Sequence, residues 1–324
     1  MNLKHCCPVW AISDGLPGHR RQALALASAL GQGQCVAFDV TFQPPWSWLS
    51  PRLAIGAQSA LRQSIGSAWE SLPALAIGCG RQAALATRLL RQKGVPVVQI
   101  LHPRVRRQYW DVLVVPEHDQ IAGDHVIQSI ASLHSIDDAW LARARSSHPA
   151  LGRLPQPRVA LLLGGPTRQV CWSLADLLDL TTTLTAFLAR EKGSLMRLTS
   201  RRTPPAWERH VALASQPYLH LNWVWGQRTP NPFAGVLAWA DLIVASSDSA
   251  NLLAESCATH APVIAAFSQC ARGRFAHLIG RLNAMGRILT HFPAWPIAAP
   301  VQPLRETAQI AQKIATYLGY DRNR

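Results

Sequence analysis

The chain has 324 residues, of which 48% are hydrophobic and 15% charged, a composition that predicts globular domains and excludes a disordered chain. This length suits two domains of about 150 residues each. No apolar run approaches the roughly 18 residues of a membrane-spanning helix, and the first residues do not resemble a secretion signal. The seven scattered cysteines indicate neither a disulfide framework nor a zinc site. We therefore expect a cytoplasmic protein.

The formal net charge is +14, and arginine contributes almost all of the positive charge. Three explanations are open: coding bias, a basic surface against anionic lipid head groups, or attraction of phosphorylated substrates or nucleic acid. Nucleic acid is the least favoured partner, because the sequence contains no recognised nucleic-acid-binding motif.

Short apolar segments alternate with helical segments through the first 150 residues. Strands are predicted at 8–12, 35–42, 74–78, 97–101 and 111–115, and helices at 20–30 and 81–91. Apolar strands separated by helices indicate parallel βαβ units, with helices on both faces of the sheet.

The proline-rich stretch 146–157 interrupts this alternation and is the predicted linker between domains 1–150 and 151–324. After it, strands are predicted at 158–163, 194–199, 219–224, 241–245 and 262–266, and helices at 173–190, 251–258 and 304–318. The last helix has an apolar face at helical spacing. The predicted fold is α/β, with two Rossmann-like parallel-sheet domains facing a cleft and the C-terminal helix packing back.

The loop after the first strand carries the candidate catalytic residues, Asp14 and His19. It also contains Gly15 and Gly18, which would let the backbone approach a ligand, and it opens the first helix. Ligands bind at the carboxyl ends of strands in open α/β sheets, and His19 there could act as a general base. The alternative is a tight turn in which Asp14 caps the helix and His19 is solvated.

Three further loops of the first half also follow predicted strands. Arg81 follows a Gly-Cys-Gly turn, Arg104 follows the fourth strand, and His118 and Asp119 follow the fifth. We predict that these side chains line the acceptor side of the site, although a glycine-eased turn explains Arg81 equally well. The spacing of the ionisable residues is not typical of a metal site.

In the second half, Gly164 and Gly165 follow the first strand of the domain and Arg202 follows the second. Backbone N–H groups of a glycine turn bind pyrophosphate, and a guanidinium pairs with phosphate through two parallel hydrogen bonds. The alternative for Arg202 is a solvated surface charge. The glycines match neither a dinucleotide fingerprint nor a P-loop.

The densest polar cluster follows the strand at 241–245. It comprises Ser247, Asp248, Ser249 and Asn251 at a helix start, with Glu255 further along that helix. Free N–H groups at a helix start favour phosphate, and a glutamate accepts hydrogen bonds from a ribose diol. The alternative for Ser247, Asp248 or Ser249 is simple helix capping.

In order, these motifs resemble the bacterial members of the mitochondrial-fission (elongated-mitochondria) family, which is described as nucleoside-diphosphate-sugar-epimerase-like. The matching segments run from Ser13 to Glu255 and include 102–104, 116–119, 200–204 and 231–233. Residues 15–19 and 249–255 are also distantly similar to the GT-B glycosyltransferase that adds N-acetylglucosamine to the lipid-linked peptidoglycan precursor. That likeness implies a cleft histidine at His19 and a ribose-binding glutamate at Glu255.

The resemblance implies a GT-B-type glycosyltransferase that moves a sugar from a nucleotide-sugar donor to a cell-envelope acceptor, which could be lipid-linked. It implies no cofactor and no catalytic metal. The alternatives are a non-catalytic scaffold protein and a nucleotide-sugar epimerase. Two tryptophans in a proline-framed loop, Trp46 and Trp48, add the hypothesis of peripheral contact with the inner membrane, against the alternative that they pack on adjacent helices.

Overall fold

The computed structural model describes residues 8–32, 34–296 and 301–320, so Cys6 and Cys7 lie outside the described residues. The chain divides into two compact units. Unit 1 contains Met1–Ser135 and Glu306–Arg324, and unit 2 contains Ile136–Arg305. No helix within the described ranges is long and apolar enough to cross a membrane.

Unit 1 is built on a parallel sheet whose described strands run in the order β2-β1-β3-β4-β5-β6. The strands are β1 (Val9–Ser13), β2 (Cys35–Asp39), β3 (Leu75–Cys79), β4 (Val97–Ile100), β5 (Val112–Pro116) and β6 (Val126–Ser129). The helices are α1 (Pro17–Leu30), α2 (Trp46–Leu49), α3 (Ala57–Ile65) and α4 (Arg81–Arg91). The chain order reverses between β1 and β3, which makes their shared edge the topological switch point of this sheet.

Both faces of this sheet are covered, which is why its central strands are mostly apolar. On β1, Trp10 and Ile12 belong to the core on one face, while Val9 and Ala11 belong to the core on the other. Strand side chains alternate between faces, so a strand buried on both sides needs a continuous apolar run. Each large side chain buried in this way contributes about 1.5–3 kcal/mol of transfer free energy.

Unit 2 repeats this architecture with the strand order β12-β11-β10-β7-β8-β9, again parallel. The strands are β7 (Arg158–Leu163), β8 (Ser194–Thr199), β9 (Leu219–Trp223), β10 (Leu242–Ser246), β11 (Val263–Ala266) and β12 (Ile288–Leu289). The helices are α5 (Asp138–Ser147), α6 (Leu174–Glu191), α7 (Glu208–Ser215), α8 (Phe233–Trp239), α9 (Ala250–Cys257) and α10 (Arg274–Ala284). Counted from β7, this is the Rossmann strand order, and its switch point lies between β7 and β10.

The boundary between the units differs from the predicted linker at 146–157. That segment contains the end of α5 and a short 3-10 helix, Pro149–Arg153, and it belongs to unit 2. Helix α5 packs against α8, and the Arg145 Nε atom donates to the Ala238 carbonyl at 2.8 Å. Prolines therefore mark a tight turn inside the unit, while the chain passes between the units at Ser135 and Ile136.

The last helix, α11 (Thr307–Tyr317), returns to unit 1 and packs against α1, so the predicted packing back of the C-terminal helix is confirmed. The Glu306 carboxylate accepts the N–H groups of Ile130 and Ala131 at 2.9 and 3.0 Å. The Thr307 hydroxyl donates to the His134 carbonyl at 2.7 Å. These bonds, together with the buried apolar face of α11, attach the final segment to the end of β6.

Candidate functional site

The first candidate site lies at the switch point of unit 1, where the loops after β1 and β3 meet. The Asp14 Oδ1 atom is 2.7 Å from His19 Nδ1, and the two side chains are 11% and 25% exposed. The Asp14 carboxylate also accepts the backbone N–H groups of Leu16 and Arg81. Asp14 therefore joins the turn after β1 to the first residue of α4 and holds the His19 ring in a fixed orientation.

This environment keeps Asp14 ionised at neutral pH. Partial burial by itself would raise the pKa of the Asp14 carboxyl. The hydrogen bond and charge of His19, with the two backbone N–H groups, outweigh burial and hold that pKa below its ordinary value. A carboxylate of lowered pKa is a weak base, whereas a neutral histidine held at Nδ1 by a carboxylate has its Nε2 atom available as an acceptor.

Gly80 makes this arrangement sterically feasible. Its φ is +99°, and an added Cβ would lie 2.6 Å from His19 Nδ1 and 2.5 Å from Asp14 Cγ. The pair therefore packs directly on the backbone after β3. Burial, followed by the negative charge of Asp14, raises the pKa of the neighbouring Cys79 thiol well above its ordinary value, so this cysteine stays protonated.

The other residues predicted in unit 1 occupy the same edge of the sheet. Gly15 donates its N–H to the Ser13 hydroxyl at 3.1 Å, and Gly18 lies in the first turn of α1. Arg104 follows β4 with a φ of +59°, and His118 and Asp119 lie in a short 3-10 turn after β5. The structure thus brings Asp14, His19 and Arg81 together, with the remaining side chains one and two strands further along.

The second candidate site lies at the switch point of unit 2, after β7 and β10. Gly164 donates its N–H to the Ser246 hydroxyl at 2.7 Å, and Gly165 donates its N–H to Asp248 Oδ2 at 3.1 Å. The Arg202 guanidinium forms an ion pair with the same carboxylate oxygen. Added Cβ atoms on these glycines would collide with Asp248 and with the Arg202 backbone, so the close approach of three loops requires both glycines.

The Asp248 carboxylate binds two donors that the sequence predicted would bind a phosphate, the Gly165 N–H and the Arg202 guanidinium. Its side chain is fully buried. An inward carboxylate is unsuited to direct contact with an anionic diphosphate. Arg202, however, is 45% exposed and has further N–H donors beyond the one that Asp248 binds. The buried acid therefore fixes an arginine that still presents donors to solvent.

Two polar atoms here lack partners among the residues that the structure describes. They are the Ser247 hydroxyl and Asp248 Oδ1, both buried. Most buried polar atoms in folded proteins are hydrogen-bonded to protein or water, so an unpaired carboxylate oxygen and hydroxyl indicate a place for a water or a ligand hydroxyl. A carboxylate oxygen accepts hydrogen bonds, which favours a hydroxyl donor over a phosphate at this position.

Helix α9 begins beside this cluster. The Ser249 hydroxyl accepts the Leu252 N–H at 3.3 Å, so the capping alternative holds for Ser249. Asn251 lies in the first turn, and Glu255 lies in the second turn with only 6% of its surface exposed. A ligand could therefore contact no more than the exposed edge of Glu255.

Ser246 and Thr203 support the Gly164 turn, a role that the sequence did not assign to either residue. Ser246 accepts the Gly164 N–H, and the Thr203 hydroxyl donates to the Gly164 carbonyl. Thr203 lies in the family-like segment 200–204, and Ser246 opens the polar run that continues through Ser247. Within the described part of the chain, no group of three or more His, Cys, Asp or Glu residues is arranged to hold a metal ion.

A model of the family described as mitochondrial fission ELM1 matches residues 17–318. The chain belongs to this family. Within the ELM1 family, the mitochondrial fission protein ELM1 of Arabidopsis thaliana is 31% identical over 274 residues, covering 75% of this chain and 63% of the plant protein. This ELM1-family chain thus spans less than two thirds of the length of its plant relative.

Solved structures similar to this ELM1-family chain confirm the fold class. The UDP-GlcNAc 2-epimerase of Methanocaldococcus jannaschii has a TM-score of 0.57 at 12% identity, with 97% of this chain and 99% of that chain covered. The UDP-GlcNAc 2-epimerase of Neisseria meningitidis, bound to UDP-GlcNAc, has a TM-score of 0.52 at 12% identity, with 97% and 100% covered. At this identity the likeness establishes the GT-B-like pair of Rossmann-like domains.

Proposed function

We propose that this protein is a GT-B-type glycosyltransferase that moves a sugar from a uridine diphosphate sugar to a hydroxyl of a cell-envelope acceptor. The observation that carries the proposal is the Asp14–His19 pair, joined at 2.7 Å at the switch point of unit 1. An ionised carboxylate on Nδ1 leaves Nε2 as the base, an arrangement typical of histidines that deprotonate hydroxyl groups.

In the proposed reaction, His19 Nε2 takes the proton of the acceptor hydroxyl. The oxygen of that hydroxyl attacks the anomeric carbon of the donor. The bond from that carbon to the diphosphate breaks, and the diphosphate leaves with the electron pair. Asp14 orients His19 and stabilises the imidazolium that forms. The proposed acceptor side comprises the other predicted residues of unit 1: Gly15, Gly18, Arg81, Arg104, His118 and Asp119.

Unit 2 is the proposed donor side. The exposed part of Arg202 and the N–H groups at the start of α9 would meet the negative charge of the diphosphate. Ser247 and Asp248 Oδ1, which have no partner among the described residues, would bind hydroxyl groups of the ribose or sugar. Glu255 would accept from the ribose diol at its exposed edge. A similar solved structure, the UDP complex of S. aureus MnaA with a TM-score of 0.50 at 12% identity, supports a uridine nucleotide.

An epimerase is the second candidate, because the neighbours described above are UDP-GlcNAc 2-epimerases. An epimerase would use the same donor but no acceptor. The third candidate, a scaffold, follows from the name of the plant relative, a mitochondrial fission protein. The transferase needs a nucleotide sugar and an acceptor, the epimerase needs only the nucleotide sugar, and the scaffold turns over neither.

Calorimetry with UDP, UDP-GlcNAc, ADP and UMP tests the donor, and product analysis with and without a lipid extract tests the reaction. We expect UDP-sugar binding in wild type and in His19→Ala, with turnover lost only in His19→Ala. His277→Ala, at an exposed position on α10, is the control. Conversion of UDP-GlcNAc to its epimer without acceptor would favour the epimerase. Absence of both nucleotide binding and turnover would reject both enzymes and leave the scaffold.

A further inference from the structure

The segment 45–55 of unit 1, here called the tryptophan loop, concentrates exposed apolar side chains. Ile55 is 100% exposed, Trp48 73%, Leu49 40% and Leu53 38%. The other large exposed apolar side chains of the described chain are spread singly through the sequence. Single exposed apolar residues are ordinary, whereas a group of them in one short segment indicates an interaction surface.

The loop is held in this shape by its backbone carbonyls and by Trp46. The Trp46 Nε1 atom donates to the Ile55 carbonyl at 2.9 Å, and the Ser50 hydroxyl donates to the Trp46 carbonyl at 2.7 Å. The Arg88 guanidinium, largely buried, donates to the Pro51 carbonyl at 2.6 Å. Trp46 is half-buried and packs against the core of unit 1, close to the alternative interpretation, while Trp48 remains exposed to solvent.

The chain segment that carries the loop is rich in arginine. Residues 40–110 contain nine lysines and arginines and one acidic residue, Glu70. Glu70 is itself paired with Arg62 at 2.6 Å. Arg52, within the loop, is exposed, and so is Arg81, whose guanidinium donates to the Ser47 carbonyl at 2.6 Å. Exposed arginines beside protruding apolar residues are complementary to anionic lipid head groups above an acyl layer.

We propose that the tryptophan loop docks on an anionic phospholipid bilayer, with Trp48, Leu49, Leu53 and Ile55 entering the interfacial region. Tryptophan prefers the boundary between head groups and acyl chains, and arginine pairs with lipid phosphates. Docking itself does not depend on sugar transfer.

Arg81 connects the docking surface to the candidate site. Its backbone N–H binds the Asp14 carboxylate and its side chain binds the tryptophan loop. A docked loop would therefore hold the Asp14–His19 pair close to the bilayer surface. Resting on the proposed function, this makes a lipid-linked hydroxyl the acceptor class.

Co-sedimentation of the full chain with vesicles tests the docking. The vesicles are phosphatidylcholine alone, or phosphatidylcholine mixed with phosphatidylglycerol. The test variant is Trp48→Ser/Ile55→Ser, and the matched control is Leu213→Ser/Trp225→Ser, at residues of unit 2 that are 61% and 53% exposed. All four side chains are exposed, so the substitutions leave the cores intact.

We expect wild type and the control to bind the anionic vesicles, and the test variant to lose at least about tenfold in partitioning. Binding should also weaken with salt and with removal of phosphatidylglycerol. Equal binding by the two double variants, or no binding by wild type, would overturn the proposal. Light scattering adds one more outcome: a wild-type dimer that the test variant dissociates, without vesicle binding, would replace the bilayer with a second copy. UDP calorimetry on the test variant separates this failure from a failure of the proposed function.

Discussion

Substitution of Gly80 by alanine is expected to break the Asp14–His19 pair without altering unit 2. Gly80 has φ +99° and ψ 170°, a backbone conformation that is nearly restricted to glycine. The alanine Cβ would lie 2.6 Å from His19 Nδ1 and 2.5 Å from Asp14 Cγ, so these side chains have to move. The control is Gly94→Ala, because Gly94 has φ +84° and an added Cβ there meets nothing within 4 Å.

The two variants share a backbone penalty of about 1–3 kcal/mol. Only Gly80→Ala also loses the charge-assisted hydrogen bond between Asp14 and His19, which is worth about 1.5–3 kcal/mol. Both side chains are partly exposed, so solvent screening places the value toward the lower end of this range. We therefore expect the free energy of unfolding of Gly80→Ala to lie below that of Gly94→Ala by about the value of this bond.

Urea unfolding measures this difference, and NMR of the imidazole nitrogens reports whether Nδ1 keeps its partner. Turnover should fall about tenfold or more in Gly80→Ala and stay near wild type in Gly94→Ala, since a positioned general base contributes roughly 10²–10⁴-fold. UDP binding should be equal in both. If both variants show the same unfolding free energy, imidazole spectrum and turnover, the assigned role of the pair is refuted.

Two further predictions concern the donor side and the C-terminal helix. Arg202→Ala should weaken UDP binding by about 1.5–3 kcal/mol, because it removes phosphate donors and leaves Asp248 buried without its cation; Arg201→Ala, at the exposed neighbour, is the control in calorimetry. A similar loss in both variants would assign the effect to general charge. Burial raises the pKa of Glu306 even though two backbone N–H groups bind its carboxylate. The native state therefore holds this proton more tightly, and the free energy of unfolding should fall as pH rises from about 4.3 through the raised native pKa. Urea denaturation across this pH range should show that the free energy of unfolding depends less on pH in Glu306→Gln than in wild type. An equal pH dependence in both would contradict a raised pKa of Glu306.

The sequence predicted β1–β5 and β7–β11 and the edges where the candidate residues gather, but not the outer strands β6 and β12. Strands buried on both faces need continuous apolar runs, which is why β7 and β8 were predicted with their observed bounds. Parallel strands put their carboxyl ends at one edge, so polar residues following each strand were expected to lie near one another. The loops of Asp14 and Asp248 could be found for that reason.

The domain boundary and the return of the last helix depended on contacts between distant residues. The proline-rich stretch 146–157 has the composition of a linker, yet it lies within unit 2, where α5 packs on α8. Helix α11 shows an apolar face in the sequence, but the face does not specify which unit it covers. The bonds from Glu306 and Thr307 to the segment after β6 join residues more than 170 positions apart.

The sequence thus determined which residues stand at the carboxyl ends of the strands, because periodicity and chain order suffice for a parallel sheet. Only the tertiary structure decided what those residues bind. It placed Asp248 inward on Arg202 and Gly165, set Asp14 on His19, and left Trp48 exposed while Trp46 packs against the core. Asp248 and its partners are far apart in the chain, and Trp46 and Trp48 differ only in side-chain direction. The contact of Asp14 with His19 depends on the glycine backbone after β3. Local sequence pattern encodes none of these properties.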